Sequence, residues 1–102
     1  MAKEIILYNL ASHVTDEEYQ TYVDNEKGPL LDSLESVTKF ELAKVCGSMS
    51  GEIPYKYVGI MHLTSLEDFY QKDANSEAFQ AFQAKWSTMV TDVHVLFAEE
   101  IY

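Results

Sequence analysis

The amino-acid sequence predicts a single α+β domain in which strands and helical connections follow one another in the order βαββαβ. Three observations predict this fold class. The length of 102 residues suits one domain. Four short runs have the composition of strands, and two longer segments begin with helix-capping residues and repeat apolar residues at helical spacing. We therefore expect residues 1–102 to form one domain.

The predicted strands are short runs rich in β-forming residues and bounded by polar or glycine-containing loops. They span residues 3–11, 37–46, 55–63 and 92–101. Between the second and third runs, a loop with glycine, serine and proline predicts that these two strands form a hairpin.

Capping residues mark where the two helical connections begin. The first connection starts with Thr15-Asp16-Glu17-Glu18, the sequence of a capping box. Gly28-Pro29 predicts a break in this helix, followed by a short segment through Leu34. The second connection begins near Ser65 and starts again near Ser76, which predicts a helix in two pieces.

Right-handed crossovers place both helical connections on one face of a ferredoxin-like antiparallel sheet with strand order 4-1-3-2. The opposite face would be bare, yet the strands are apolar on both sides. In the first strand Ile5 and Leu7 point to one side, and Ile6 and Tyr8 point to the other. Because large exposed apolar patches mark interfaces, we expect a homodimer that forms through the bare sheet face.

Composition narrows the classes of partner. The chain has 17 acidic residues and seven lysines with no arginine, and this balance disfavours nucleic acid and phosphate-bearing ligands. No apolar run approaches the ~18 residues of a membrane span. The single cysteine, Cys46, and the absence of a secretory signal at Met1 predict a cytoplasmic location. No spacing of metal ligands and no glycine-rich phosphate loop occurs, so we expect neither a metal nor a cofactor.

Polar and aromatic residues gather at one end of the predicted sheet, where the first two strands end and the other two begin. We expect a pocket for a small, flat, apolar molecule there, between sheet and helices. His94 is the predicted general acid or base, oriented by Asn9 or Tyr57. The predicted substrate-binding residues are Tyr22, Trp86, His13 and Tyr55. Tyr22 and Trp86 could equally be ordinary core residues, and His13 could be an ordinary solvated loop residue.

The βαββαβ order, the stretch Glu26-Lys27-Gly28-Pro29-Leu30-Leu31 and the strand Ser36-Val37-Thr38-Lys39-Phe40-Glu41-Leu42 resemble the dimeric α+β barrel superfamily. The closest likeness is to its RedY-like branch, typified by HapK, which is tied to prodigiosin-type pigment pathways. The resemblance spans nearly the whole chain, and its motifs are structural rather than catalytic.

The resemblance implies a small intracellular protein of secondary metabolism that acts on or escorts a pyrrole or bipyrrole intermediate. The superfamily also includes isomerases, cyclases and cofactor-free monooxygenases that hold a substrate with asparagine, tryptophan and tyrosine. Asn9, Trp86 and Tyr22 match that trio in type but not in position. Three functions stay open: an enzyme, a carrier or chaperone, and a subunit that only pairs with other proteins.

Overall fold

The computed structural model describes residues 1–102, and its elements follow the predicted order. The strands are β1 (Ala2–Leu10), β2 (Val37–Lys44), β3 (Tyr57–Leu63) and β4 (Val90–Glu99). The helices are α1 (Asp16–Tyr22), α2 (Gly28–Ser33), α3 (Leu66–Asp68) and α4 (Glu77–Ser87). None of the helices is long and apolar enough to cross a lipid bilayer.

The strands form one antiparallel sheet with the order β2-β3-β1-β4, which confirms the predicted strand order. Alternate residues of each strand point to opposite faces. The helix face carries the buried residues of the two central strands, Glu4, Tyr8, Tyr57, Gly59, Met61 and Leu63. The open face, which no helix covers, carries Ile5, Leu7, Asn9, Val58, Ile60, His94, Leu96 and Ala98.

Predicted capping residues begin three of the helices. Thr15 and Glu18 form the complete capping box of α1. Ser65 accepts a hydrogen bond from the backbone of Asp68, and Ser76 accepts one from the backbone of Phe79. The second helical connection is therefore built in two pieces, as predicted.

The predicted short segment through Leu34 is confirmed as α2, but the predicted break before it at Gly28-Pro29 is wrong. Instead, α1 continues through a π-helical turn at Val23–Lys27 directly into α2. The amide of Gly28 bonds to the carbonyl of Val23, five residues back, and Gly28 keeps a right-handed helical conformation. Pro29 has no amide hydrogen and cannot continue the hydrogen-bond pattern of the helix, and the π-helical turn lies directly before it. A glycine-proline pair here accompanies a wider turn.

The π-helical turn places Lys27 on the buried side of the helix. Tyr19 and Tyr22 precede the turn and Leu31 follows it, and all three are buried. The five-residue step from Tyr22 to Lys27 extends this buried stripe, and Lys27 itself is only 3% exposed. Such single π turns within α-helices are frequent at functional sites.

The core between sheet and helices has two halves. One half is mainly aliphatic and is centred on Leu31, Leu63 and Phe69. The other half is aromatic and consists of Tyr8, Tyr19, Tyr22, Tyr57 and Trp86. Lys27 enters the core at the aromatic half, because its amine lies over the rings of Tyr8, Tyr19 and Trp86.

We expect Gly28→Ala to destabilise the protein by about 1 kcal/mol, although the same change in an ordinary helix interior stabilises by a similar amount. A β-carbon at this position would meet the backbone oxygen of Val23 at 3.0 Å. Urea unfolding measures the change. Gly47→Ala is the control, because nothing lies within 4 Å of its added β-carbon. An increase in stability for Gly28→Ala would contradict the tight π turn.

Candidate functional site

A cavity of about 60 Å³ lies between the helix face of the sheet and the helices. Aromatic and aliphatic side chains make up most of its wall, and two ionisable side chains, Glu4 and Lys27, interrupt it. The other lining residues are Ile6, Leu31, Phe40, Gly59, Met61, Phe79, Phe82, Gln83, Trp86 and Val95. An apolar cavity with a few polar groups is the usual composition of a small-molecule site.

The amine of Lys27 is held by hydroxyl groups and aromatic faces. Its Nζ lies 3.1 Å from the hydroxyl of Tyr19 and 3.3 Å from the hydroxyl of Tyr8. It also lies 4.7 Å from the ring centre of Trp86 and 5.6 Å from that of Phe40. The amine is therefore fixed on several sides but has no carboxylate within salt-bridge distance.

Glu4 is the second ionisable group of the cavity. It alternates with Ile6 and Tyr8 on the helix face of β1 and is 8% exposed. No protein group within hydrogen-bonding distance satisfies its carboxyl group. Its oxygens are not among the enclosed polar atoms of the protein, so they face the cavity and are available to a ligand.

Burial shifts the pKa of both groups towards neutrality. Desolvation raises the pKa of Glu4 from 4.5 to about 7, and the nearby charge of Lys27 opposes this only in part. Desolvation lowers the pKa of Lys27 from 10.5 to about 7, against the smaller opposing effect of Glu4. Both groups can therefore exchange a proton near neutral pH.

The cavity reaches the surface between α4 and the edge strand β4. Gln83 and Val95 line the cavity and are both exposed, so they form its mouth. Beyond the mouth, Phe97 is 49% exposed and Tyr70 is 48% exposed, with ring centres 6.0 Å apart. An apolar strip of Val95, Phe97 and Tyr70 thus continues the cavity across the surface.

Three of the predicted site residues lie on the helix side of the sheet. Trp86 lines the cavity, and its indole nitrogen donates a hydrogen bond to the hydroxyl of Tyr19 at 3.0 Å. Tyr22 stacks with Phe82 and its buried hydroxyl has no partner in the protein. Tyr57 does not line the cavity. Its hydroxyl donates to Asp16 at 2.6 Å in a separate depression.

The prediction that Asn9 and His94 lie beneath the helices is wrong. Asn9 alternates with the buried Tyr8, and His94 stands opposite Leu7, so both belong to the open face. The side-chain amide of Asn9 donates to the carbonyl of Pro54 at 2.9 Å and to Asp92, and it accepts from the backbone of Lys56. Asn9 therefore fastens the β2–β3 loop to the sheet.

The remaining predicted residues lie at the expected end of the sheet but outside the cavity. His13 is exposed in the loop after β1. Tyr55 is half-buried, and its ring centre is 5.3 Å from that of His94. The roles predicted for these residues stay predictions.

The sequence interpretation missed Glu4 and Lys27 because charged residues are usually solvated. A signal was nevertheless present. Glu4 shares the alternation of Ile6 and Tyr8, and Lys27 falls four residues before Leu31 on the apolar stripe of the first helical connection. A charged residue in register with a buried stripe is the pattern that would have found them.

The model of the REDY-like protein HapK family matches residues 2–101. The chain belongs to this family. A search of curated proteins found no match. The family assignment and the fold agree with the resemblance predicted from the sequence.

Solved structures confirm the ferredoxin-like α+β fold. The crystal structure of HapK from Hahella chejuensis is 23% identical, with a TM-score of 0.82 over 99% of this chain and 93% of that chain. Hydroxynitrile lyase from Passiflora edulis is 12% identical, with a TM-score of 0.82 over 99% and 95%. A dimeric ferredoxin-like protein of unknown function from Thermobifida fusca is 16% identical, with a TM-score of 0.74 over 95% and 88%. Identities this low establish the fold alone.

Unfolding free energy is expected to pass through a minimum near neutral pH. Folded Glu4 retains a proton that the unfolded chain releases, so stability falls as pH rises from 4.5 to about 7. Unfolded Lys27 retains a proton that the folded chain lacks, so stability rises with pH from about 7 to 10.5. Each slope reaches at most about 1.4 kcal/mol per pH unit.

Urea unfolding of variants across this range tests the assignment. Glu4→Gln should remove the fall below neutral pH, and Lys27→Met should remove the rise above it. The controls are Glu52→Gln and Lys72→Met, which change exposed side chains and should keep the minimum. A profile that is the same in wild type and in both cavity variants would contradict the shifted pKa values.

Proposed function

We propose that this protein binds a flat, apolar, pyrrole-like intermediate of a prodigiosin-type secondary-metabolite pathway and transforms it without a cofactor. The observation that carries the proposal is the pair Glu4 and Lys27, two ionisable groups in the wall of one aromatic cavity. Membership of the REDY-like HapK family supports the pathway. The aromatic wall of the cavity and its two ionisable groups support a flat, apolar substrate.

The polar groups of the cavity suit a pyrrole that carries a carbonyl group. The unpaired carboxyl oxygens of Glu4 can accept the hydrogen bond of a ring N–H. The amine of Lys27 can donate to a carbonyl oxygen. The aromatic faces of Phe40, Phe82 and Trp86 surround the same space and favour a flat apolar ring.

The apolar strip outside the mouth, rather than the volume of the cavity, favours a ligand longer than one ring. A volume of 60 Å³ is less than half the ~150 Å³ of an engineered cavity that binds benzene. A single ring therefore requires side chains at the mouth to move outward. A second linked ring would lie on the strip of Val95, Phe97 and Tyr70 outside the mouth. A bipyrrole has this shape.

The pKa values suit general acid–base catalysis. A group whose pKa lies near the working pH can both take and return a proton, and Glu4 and Lys27 each meet this condition. Proton transfer at two points of a conjugated ring system drives isomerisation, cyclisation or condensation. The fold is compatible with an enzyme, since hydroxynitrile lyase from Passiflora edulis has it as well.

Binding and proton transfer can be measured with a bipyrrole carboxaldehyde. Because Trp86 is the only tryptophan and lines the cavity, its fluorescence should be quenched on binding. Deuterium uptake by the bound compound from heavy water, followed by mass spectrometry, reports proton transfer. We expect Glu4→Gln and Lys27→Met to slow this uptake by about 100-fold, whereas Lys72→Met should leave it unchanged.

The same experiment separates the alternatives. Quenching with equal deuterium uptake in wild type and in both cavity variants would show a carrier without catalysis. No quenching at millimolar bipyrrole would contradict the proposed ligand class.

We also propose that the protein is a cytoplasmic homodimer that associates through the open face. Ile5, Leu7, Ile60 and Leu96 form a continuous apolar area there, and Leu96 is 49% exposed in the single chain. An apolar sheet face without a covering layer is typical of an interface. The dimeric Thermobifida fusca neighbour supports this assembly, and the single free cysteine, Cys46, supports a reducing compartment.

Gel filtration with light scattering should report a dimer at micromolar concentration. Leu96→Lys places a charge in the interface and should shift the protein to monomer. Ala84→Lys, on the exposed side of α4, is the matched control and should stay dimeric. A wild-type monomer would contradict the assembly.

A further inference from the structure

Four hydrogen bonds join Lys27, Tyr8, Tyr19 and Trp86 within the core. The hydroxyls of Tyr8 and Tyr19 lie 2.5 Å apart. The amine of Lys27 reaches both hydroxyls, and the indole of Trp86 donates to Tyr19. The lysine amine and the two hydroxyls therefore form a closed triangle of hydrogen bonds.

The number of hydrogens in this triangle depends on the charge of Lys27. An ammonium group has only donors, so it would donate to both tyrosine hydroxyls. Tyr19 already accepts from Trp86, so with a second bond from Lys27 its own hydrogen must go to Tyr8. The hydroxyl hydrogen of Tyr8 then has no acceptor. A buried donor without an acceptor costs about 1–3 kcal/mol.

A neutral amine removes this conflict, because its nitrogen has one lone pair. In this state Lys27 would donate to Tyr19 and Tyr19 to Tyr8, and the 3.3 Å bond from Lys27 to Tyr8 would reverse, with Tyr8 donating to the amine lone pair. Both tyrosine hydroxyl hydrogens then have an acceptor, and one amine hydrogen stays free to point into the cavity. Both tyrosines keep their hydrogens, because burial raises the pKa of Tyr8 and of Tyr19 above the ordinary value.

The charged groups around the amine do not offset this preference. Glu4 of β1 is the carboxyl group whose charge acts on Lys27, and no salt bridge joins the two side chains. The other neighbours are Tyr8 of β1, Tyr19 of α1, Phe40 of β2 and Trp86 of α4, none of which is a carboxylate.

We infer that the hydroxyls of Tyr8 and Tyr19 hold Lys27 as a neutral amine, so that the cavity selects uncharged ligands with an N–H group and rejects carboxylates. The neutral amine keeps one N–H free of the triangle, which can donate to a carbonyl oxygen. It supplies no positive charge to offset the desolvation of a carboxylate. This selectivity rests on the proposed function, because it assumes that the ligand enters this cavity.

Nitrogen-15 NMR of lysine-labelled protein tests the state of Lys27 directly. At about pH 8.5, above the pKa of about 7, we expect one of the seven lysines to show the shift of a neutral amine. Lys27→Met should remove that signal, and Lys72→Met should retain it. Ammonium shifts for all seven lysines in the wild type at this pH would overturn the inference.

Pyrrole carboxaldehyde and pyrrole carboxylate form a matched pair of ligands that differ in charge. At about pH 8.5 the aldehyde should bind at least about tenfold more tightly, as measured by Trp86 fluorescence. At about pH 5.5 Lys27 is protonated and Glu4 is neutral, so the preference should shift towards the carboxylate. In Lys27→Met this shift should be smaller, because only the loss of negative charge at Glu4 remains.

The ligand comparison and the NMR measurement test different claims, so their outcomes can be told apart. An aldehyde that binds no better than the carboxylate at high pH would overturn the selectivity while leaving the cavity as the binding site. If neither compound binds, the proposed function and the selectivity that rests on it fail. The nitrogen shift of Lys27 still decides whether the hydroxyl triangle holds a neutral amine.

Discussion

The cost of burying an amine and a carboxyl group in an aromatic core is the constraint on which this structure depends. Lys27 and Glu4 form no salt bridge with each other. Each side chain therefore loses hydration without a close opposite charge to compensate for it. The amine is compensated by two hydroxyls and several ring faces. The carboxyl group has no hydrogen-bond partner in the protein, and burial raises its pKa to about 7.

Two local features of the chain bring these groups together. The alternation of β1 turns Glu4 to the same face as Tyr8, whose hydroxyl contacts the amine. The π-helical turn places Lys27 on the buried side of the helix, where it points towards the helix face of the sheet. Neither group lies on a flexible loop. Glu4 lies on a strand that is paired on both edges, and Lys27 lies on a helix that packs on the sheet, so these two elements set the distance between the groups.

Much of the fold could be predicted because its signals are local. Capping residues located three helix starts, and runs of β-forming residues located all four strands. Handedness then led to the strand order. The π-helical turn could not be predicted, because Gly28-Pro29 is equally compatible with a helix end. Its presence depends on how the helix packs on the sheet.

The candidate site was predictable only in part. The aromatic wall was found through Trp86, which lines the cavity. Asn9 and His94 were assigned to the wrong face because both faces of β1 are apolar. Alternation shows which residues share a face, but not which face the helices cover. The β4 bulge at Asp92, which has a φ of 55°, adds a register shift that alternation alone does not reveal.

Strand β4 belongs to two surfaces at once. Val95 and Phe97 form the mouth of the cavity and the strip beyond it, whereas His94, Leu96 and Ala98 lie on the open face. In a dimer built on the open face, association would restrain the strand whose side chains form the mouth of the cavity. Ligand affinity and self-association are then thermodynamically linked, and each changes the other by the same factor. Because of this linkage, the protein concentration becomes a variable in every binding measurement.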